Sequence, residues 1–413
     1  MIIHKKYGTN NNDVLEMNRS LVVKLLKQKK ICSRADLAKA AGLTQAAMTK
    51  IVAALINMGI ISEVGLIEAE RGRRSIGLQL NGQLYQVIGV KFSRLSFSIG
   101  VFDICGKVYV QKTIKIKTPS APKYILENMK QEIRNYLDQF EKIVAIGIAV
   151  PGPYLKHEGK IALMTGFPGW QSVNFKEEFE KEFKTPVFIE HDANAGALAE
   201  WWFGESDEEN GVLVNFLASE GVGAGIVSNG NLIIGSQGIA GEIGHISVDV
   251  NGEKCECGNY GCLEKYCSAI ALAKRAKEEL PKYPDSGLNQ YKNLTYHDVF
   301  NELEKGDYLA TELVQYAGRY IGYGIVTIIN AYNPDVVILS DIMARGGEVL
   351  LSTVKSVVKE RVISELSSHV EIKLSSFSID PILYGAAALA TDRVLTLPSI
   401  FLNNSTETPV SNT

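Results

Sequence analysis

His245, Cys255, Cys257 and Cys262 fall within one short stretch, residues 245–262. One imidazole and three thiolates make the four-ligand set of a tetrahedral structural zinc site. Gly258 and Gly261 leave the chain free to turn tightly round an ion. Four of the six cysteines crowd into residues 255–267, a spacing that favours metal over disulfides, with Cys267 as the spare on a following helix. The other reading is reduced cysteines packed as small apolar side chains. Four protein ligands leave no open position for a metal-bound water, so the expected role is structural. The flanking runs Gly241-Glu242-Ile243-Gly244-His245 and Cys262-Leu263-Glu264 also carry carboxylates that a zinc site does not need. A metal here would hold Glu242 and Glu264 in place, and chelation should weaken both the fold and whatever those acids bind.

These residues need a scaffold, and 413 residues suffice for two or three full-sized cores. The composition, 46% hydrophobic and 22% charged, is that of a soluble globular protein. The longest apolar runs, such as Ile143–Val150, are strand-sized, and the start MIIHKKYGTNNNDV lacks the apolar core of a signal peptide. The expected compartment is cytoplasmic, with no membrane partner. The net charge of −3 hides a division: residues 1–80 hold 13 Lys/Arg against 6 Asp/Glu, and the remainder 30 against 40. A basic head on an acidic body suggests that the head meets a polyanion.

The head reads as a winged helix-turn-helix over residues 1–81. From Asn18, Leu21, Val22, Leu25 and Leu26 recur at helical spacing. Ser33 and Asp36 form a capping pair before a second helix, and Gly42-Leu43-Thr44 ends it and caps a third, Gln45 to about Met58. Ile60–Gly65 and Ser75–Leu80 read as the strands of a wing tipped by Arg71, Arg73 and Arg74. Thr44, Gln45, Thr49 and Lys50 open the third helix, where polar side chains reach base edges and phosphates, and the wing arginines suit phosphate or minor-groove contact. A small helical protein-interaction domain with a solvated charge run is the alternative.

In the body, 84–92, 95–102 and 107–116 read as three successive strands. A helix follows over 122–140, then strand Ile143–Val150. A similar order restarts at Gly211: VLVNFLA, GAGIVS, an Asn229-Gly230 turn, NLII. A helix over Leu313–Ala331 and strand Val336–Leu339 complete the second half. Two halves with one strand order describe an α/β, actin-like, two-lobed fold that closes a cleft over a ligand. The expected boundaries are 82–195 for the first lobe, with a returning helix at about 384–395, then 196–383 for the second, and a disordered tail, 396–413.

CECGNYGCLE and GEIGH resemble the ROK family of repressors, open reading frames and sugar kinases. Supporting marks are Val150-Pro151-Gly152-Pro153, Glu190-His191-Asp192-Ala193-Asn194-Ala195, Gly221-Val222-Gly223-Ala224-Gly225, Asn333-Pro334-Asp335 and Tyr384-Gly385-Ala386-Ala387. The head makes the chain similar to the family's xylose-operon and N-acetylglucosamine-type repressors. The resemblance implies that His191, Asp192, Glu242, His245 and Glu264 hydrogen-bond sugar hydroxyls; carboxylates accept such bonds naturally. Asp192 matches the kinases' catalytic base, and it can serve a sugar that never reacts. Kinases carry D-x-G-G-T where this chain has Lys91-Phe92-Ser93-Arg94-Leu95. Glu220 brings negative charge into the second phosphate loop, and Ser340-Asp341 replaces Gly-Gly. In Thr165-Gly166-Phe167-Pro168-Gly169-Trp170, Gly166 stands for the sugar-binding Asn.

The expected function is thus a sugar-responsive repressor binding a double-stranded DNA operator as a homodimer or dimer of dimers, with structural Zn2+, no catalytic residues and Asp192 as a vestigial base. Xylose is one candidate effector. The alternatives are an ATP-dependent sugar kinase and a repressor whose body docks a transporter protein; an empty, vestigial pocket is the bland reading of the acid cluster.

Overall fold

The computed structural model describes residues 11–68, 74–94, 96–116, 121–162, 169–204, 211–377 and 380–398. Arg71, Arg73, Leu95, Thr165–Pro168 and most of the expected 396–413 tail lie outside these residues.

The head builds helix α1 (Asn11–Lys29), a short strand β1 (Cys32–Ser33), helices α2 (Arg34–Ala41) and α3 (Gln45–Asn57), and strands β2 (Ile61–Glu68) and β3 (Arg74–Leu80). Local chemistry sets the helix ends. Asp36 N donates to Ser33 Oγ (3.1 Å) while the Ser33 hydroxyl donates to Asp36 Oδ2 (2.6 Å). Gly42 closes α2 at φ 63°, and Thr44 caps α3 by accepting from Ala47 N. Three differences from the sequence reading have physical causes. Helix α1 starts seven residues before Asn18, its added stretch Asn11–Met17 leaving Val14, Leu15 and Met17 exposed, so no buried face marks it in the sequence. Strand β2 runs on past Gly65, which at φ 90° lies in a register shift between Glu63 and Leu66 and makes a bulge. Strand β1 adds a third member, giving the order β1-β3-β2.

The body follows with β4 (Gln86–Phe92), β5 (Ser96–Asp103), β6 (Val108–Lys115), α4 (Pro122–Gln139), β7 (Ile143–Val150), β8 (Tyr154–Leu155), β9 (Lys160–Ile161), α5 (Phe175–Glu180), β10 (Val187–His191) and α6 (Asp192–Phe203). Next come β11 (Val212–Ala218), β12 (Val222–Ser228), β13 (Asn231–Leu232), α7 (Glu264–Cys267), α8 (Ala269–Glu279), α9 (Tyr296–Glu304) and α10 (Tyr308–Tyr332). The chain ends with β14 (Val336–Ser340), α11 (Gly347–Arg361), α12 (Ser364–Ser367), β15 (Glu371–Leu374) and α13 (Pro381–Thr396). The two five-stranded sheets share one plan. From one edge they run β6-β5-β4-β7-β10 and β13-β12-β11-β14-β15. In each, an antiparallel meander feeds a parallel half. This repeat is the α/β, actin-like architecture.

The chain divides into two units, one of residues 1–150, 174–190 and 383–413, the other of 151–173 and 191–382. In the first unit, β4 and β7 are buried on both faces, and α13 lies against them so closely that a Cβ at Gly147 would stand 1.8 Å from Ala386 O. In the second, β11, β12 and β14 pack against α10 through Phe216, Ile321, Ile325 and Leu339. Among the described residues no helix is long and apolar enough to cross a membrane.

Glu200 on α6 is only 2% exposed and accepts from Ser375 Oγ. Burial pushes its carboxyl from the usual 4.5 up to about 7, against the pull of Ser375 and Lys373. A carboxyl raised in the folded state favours folding most below the unfolded pKa, and that advantage is lost as pH rises through the folded value. Stability therefore falls between about pH 4.5 and about pH 7 by up to roughly 3 kcal/mol from this group. Denaturant midpoints at pH 5 and pH 8 measure the fall, and Glu200→Gln should flatten it; an unchanged difference in the variant would assign it elsewhere.

Candidate functional site

The acids and histidines meet on the second unit because glycines let two backbone segments close on β12. A Cβ at Gly225 would lie 2.1 Å from Ala193 O, so the start of α6 lies directly against the strand. On the loop after β13, Cβ atoms at Gly241 and Gly244 would come within 1.9 Å of Ala224 O and 2.2 Å of Val222 O. Asp192 opens α6, where the helix dipole favours a carboxylate.

The expected sugar-binding residues form a run of close contacts. His191 Nε2 stands 3.0 Å from Asp192 Oδ1, and His191 Nδ1 is 3.8 Å from Glu242 Oε1. His245 Nδ1 is 3.7 Å from Glu264 Oε1. Burial pushes the Glu242 carboxyl above its usual range, opposed by His191 and His245 and reinforced by Asp192 and Glu264. Glu242 Oε1 is buried and has no hydrogen-bond partner among the described residues. A buried acceptor left open at this spot is suited to a donor from outside the chain, such as a hydroxyl.

Beside it stand the metal-ligand candidates. The donor atoms of His245, Cys255, Cys257 and Cys262 lie within 4.8 Å of one another. Cys257 Sγ is 3.6 Å from Cys262 Sγ, and Cys255 Sγ is 3.8 Å from His245 Nδ1. Around a tetrahedral zinc ion such atoms sit about 3.4–3.8 Å apart, so the set fits that ion. Cys255 also clusters with Glu256 and Glu264, its thiol donating to Glu264 Oε1 at 3.4 Å. Three thiols with one imidazole suit a borderline-soft ion better than two carboxylates with one thiol do. Burial pushes the Cys255 and Cys262 thiols up, so a dication must displace protons to bind. Cys267 is fully buried on α7 and donates to Leu263 O, away from the cluster.

Sequence reasoning missed the residues that shape this loop. Asn259 Nδ2 donates to His245 O at 2.9 Å, and Ser247 Oγ donates to Tyr260 O at 2.7 Å. The only signal for Asn259 was its place between Gly258 and Tyr260 in the cysteine run.

Residues expected near a nucleotide are also placed. Lys91 lies inside β4, paired with Ser98 and Ala149. Glu220 accepts from Tyr296 Oη at 3.3 Å. Asp341 follows β14 at φ 66°, ψ −147°, a backbone conformation that is almost confined to glycine. In the head, Thr44, Gln45, Thr49, Lys50 and Arg74 are exposed, with Thr49 Oγ1 donating back to Gln45 O.

A profile of the ROK family matches residues 87–393. The chain is 32% identical over 365 residues to the DNA-binding transcriptional dual regulator NagC of Escherichia coli (strain K12), covering 87% of this chain and 88% of that protein. It is 29% identical over 389 residues to the xylose repressor of Bacillus subtilis (strain 168), with 92% and 97% covered. The crystal structure of a ROK family transcriptional regulator, a homolog of the E. coli MLC protein, superposes with a TM-score of 0.78 at 29% identity, over 94% of this chain and 99% of its own. A ROK family glucokinase from Streptomyces griseus, solved with glucose and AMPPNP, gives 0.66 at 25%, over 74% and 99%.

Proposed function

The chain belongs to the ROK family, and on that premise we propose that it is a sugar-responsive, DNA-binding transcriptional repressor of carbohydrate uptake or metabolism genes. Coverage carries this reading. The glucokinase accounts for all but a quarter of the chain, a remainder large enough to hold the head, whereas the regulator structure and the xylose repressor extend over more than nine-tenths. The proposal takes residues 1–81 as the winged head and shifts the lobe boundaries expected at 82–195 and 196–383 to follow the two compact units, with 151–173 and 191–195 in the second lobe and 384–395 in the first. It works in the cytoplasm as a homodimer or dimer of dimers, since helix-turn-helix proteins read paired half-sites.

In this reading Thr44, Gln45, Thr49 and Lys50 enter the major groove, and Arg71, Arg73 and Arg74 hold phosphate or the minor groove. His191, Asp192, Glu242, His245 and Glu264 hold the sugar. His245, Cys255, Cys257 and Cys262 hold Zn2+, which supplies cross-linking of the loop and no reaction chemistry. His245 serves both sites if Nδ1 ligates the ion and Nε2 faces the sugar. The protein is not an enzyme: Lys91, Glu220 and Asp341 put a cation and two carboxylates at positions where kinases use an acid, a threonine and glycine to manage ATP. Asp192 alone favours a kinase, and ADP formation above blank over a sugar panel would decide for it.

Gel-shift titration of the zinc-loaded protein on DNA upstream of its own coding region tests the proposal. It is expected to bind specifically, with xylose, glucose or N-acetylglucosamine at millimolar concentration shifting the affinity at least tenfold. Specific binding indifferent to every sugar would transfer the sensing role to a protein partner.

A further inference from the structure

The carboxyl-terminal end of α3 is held by the body. Met58 caps the helix, its N–H bonded to Ala54 O, and Gly59 turns the chain at φ 73°. The carbonyl of Met58 accepts the hydroxyl of Tyr85 at 2.6 Å, from the residue that leads directly into β4. Leu84 fills the space over Gly59 so completely that a Cβ there would fall 2.1 Å from Leu84 Cδ2. Burial pushes the Tyr85 hydroxyl up, keeping it a proton donor at any physiological pH.

The connecting residues have no slack. Asn81 N donates to Ile60 O at 2.8 Å, and Gln83 N to Asn81 Oδ1 at 3.1 Å. Gly82 sits where a Cβ would meet Asp103 Oδ2 at 2.7 Å, and Gln86 N donates to Lys142 O. The junction is pinned at successive residues, unlike a Gly/Ser linker that leaves its modules independent. Strand β4 then runs about 20 Å beside β7, whose last residue, Val150, is also the last of the first unit before Pro151 opens the second.

We infer that Leu84 and Tyr85 form a clamp through which the body's first sheet sets the position of α3, so that ligand occupancy in the body reaches the DNA-reading helix by direct contact. This rests on the proposed function. Tyr85 is a positioning residue: it touches neither sugar nor DNA, and it acts through the Met58 carbonyl. Its signature is a change in coupling, the ratio of DNA dissociation constants with and without sugar, at constant sugar affinity.

The test uses the full-length, zinc-loaded chain and a labelled duplex from upstream of its coding region. Wild type, Tyr85→Phe and Leu84→Ala are titrated alone and with D-xylose, D-glucose or N-acetylglucosamine, and sugar binding is followed by calorimetry. The coupling ratio is expected to fall about fivefold or more in Tyr85→Phe and further in Leu84→Ala, with sugar affinity within about twofold of wild type. The clamp is overturned if both variants keep the wild-type ratio, whether DNA binding is unchanged or is weakened equally with and without sugar. A wild-type protein that binds the duplex with no sugar dependence overturns the functional reading, and the clamp with it.

Discussion

Cys262→Ala is expected to leave the protein without its metal and without a sugar response. Cys262 is fully buried, and its thiol lies 3.6 Å from Cys257 and within reach of His245 and Cys255. Losing one of four ligands leaves a three-donor site, and the affinity of structural zinc, about 10–16 kcal/mol in small zinc-finger peptides, depends on the full set. Residues 241–267 supply two of the acids assigned to the sugar, so on the proposed function an ion held by this set would order both. Metal content by mass spectrometry should fall from about one per chain to below about a tenth, and sugar affinity should drop more than tenfold. Cys267→Ala is the control: an equally buried thiol outside the cluster, expected to cost some stability and keep the metal. A Cys262→Ala protein with full metal content would remove this site from consideration, and the Cys255, Glu256 and Glu264 group would be the next to examine.

Glu242→Gln should move stability and binding in opposite directions. Burial holds the Glu242 carboxyl above its usual range, so its ionised form costs the folded state at neutral pH. The sign follows from linkage: a carboxyl raised on folding favours the fold at low pH and loses that contribution as pH rises. The isosteric amide removes the penalty, and the sugar-free variant should be as stable as wild type or more so at pH 7. Sugar affinity should fall about tenfold to a hundredfold, because hydrogen bonds to a charged acceptor contribute about 1.5–3 kcal/mol each. Calorimetry and thermal melts on the same preparation read both effects. A variant that loses stability and affinity together would mark Glu242 as a structural acid. One that keeps its affinity would leave the open Oε1 without a function.

What could be read from the sequence was mostly local. Ser33 with Asp36, Gly42 and Thr44 fix their helix ends through bonds spanning three or four residues, and the sequence displays such spacing directly. Asn229-Gly230 turns at φ 49° and 69°, as that dipeptide implies. Helix α6 was not foreseen: Ala193–Trp202 is buried on every side, which leaves no amphipathic period to detect. Strand β1 escaped notice because its partner, Gly77–Leu78, lies far along the chain. Asp341 shows a different limit. It stands where the resemblance to kinases leads one to expect glycine, and its backbone takes a conformation almost confined to glycine, which the residue code does not announce. The zinc-ligand candidates were apparent by type, whereas Ser247 and Asn259, which shape their loop, act through backbone carbonyls that no residue code reveals.

The glycines along β12 set a rule for anyone wishing to re-aim this protein at another effector. Gly225, Gly241 and Gly244 occupy places where a single added carbon would strike a backbone carbonyl. Randomising them in a mutant library is expected to yield mostly misfolded chains. Diversity belongs at His191, Asp192, Glu242 and Glu264, the four side chains besides His245 that the proposed function assigns to the sugar. On the proposed function, shape and selectivity thus rest on different residues, and a biosensor could be retuned through four codons while the glycine frame around them stays fixed.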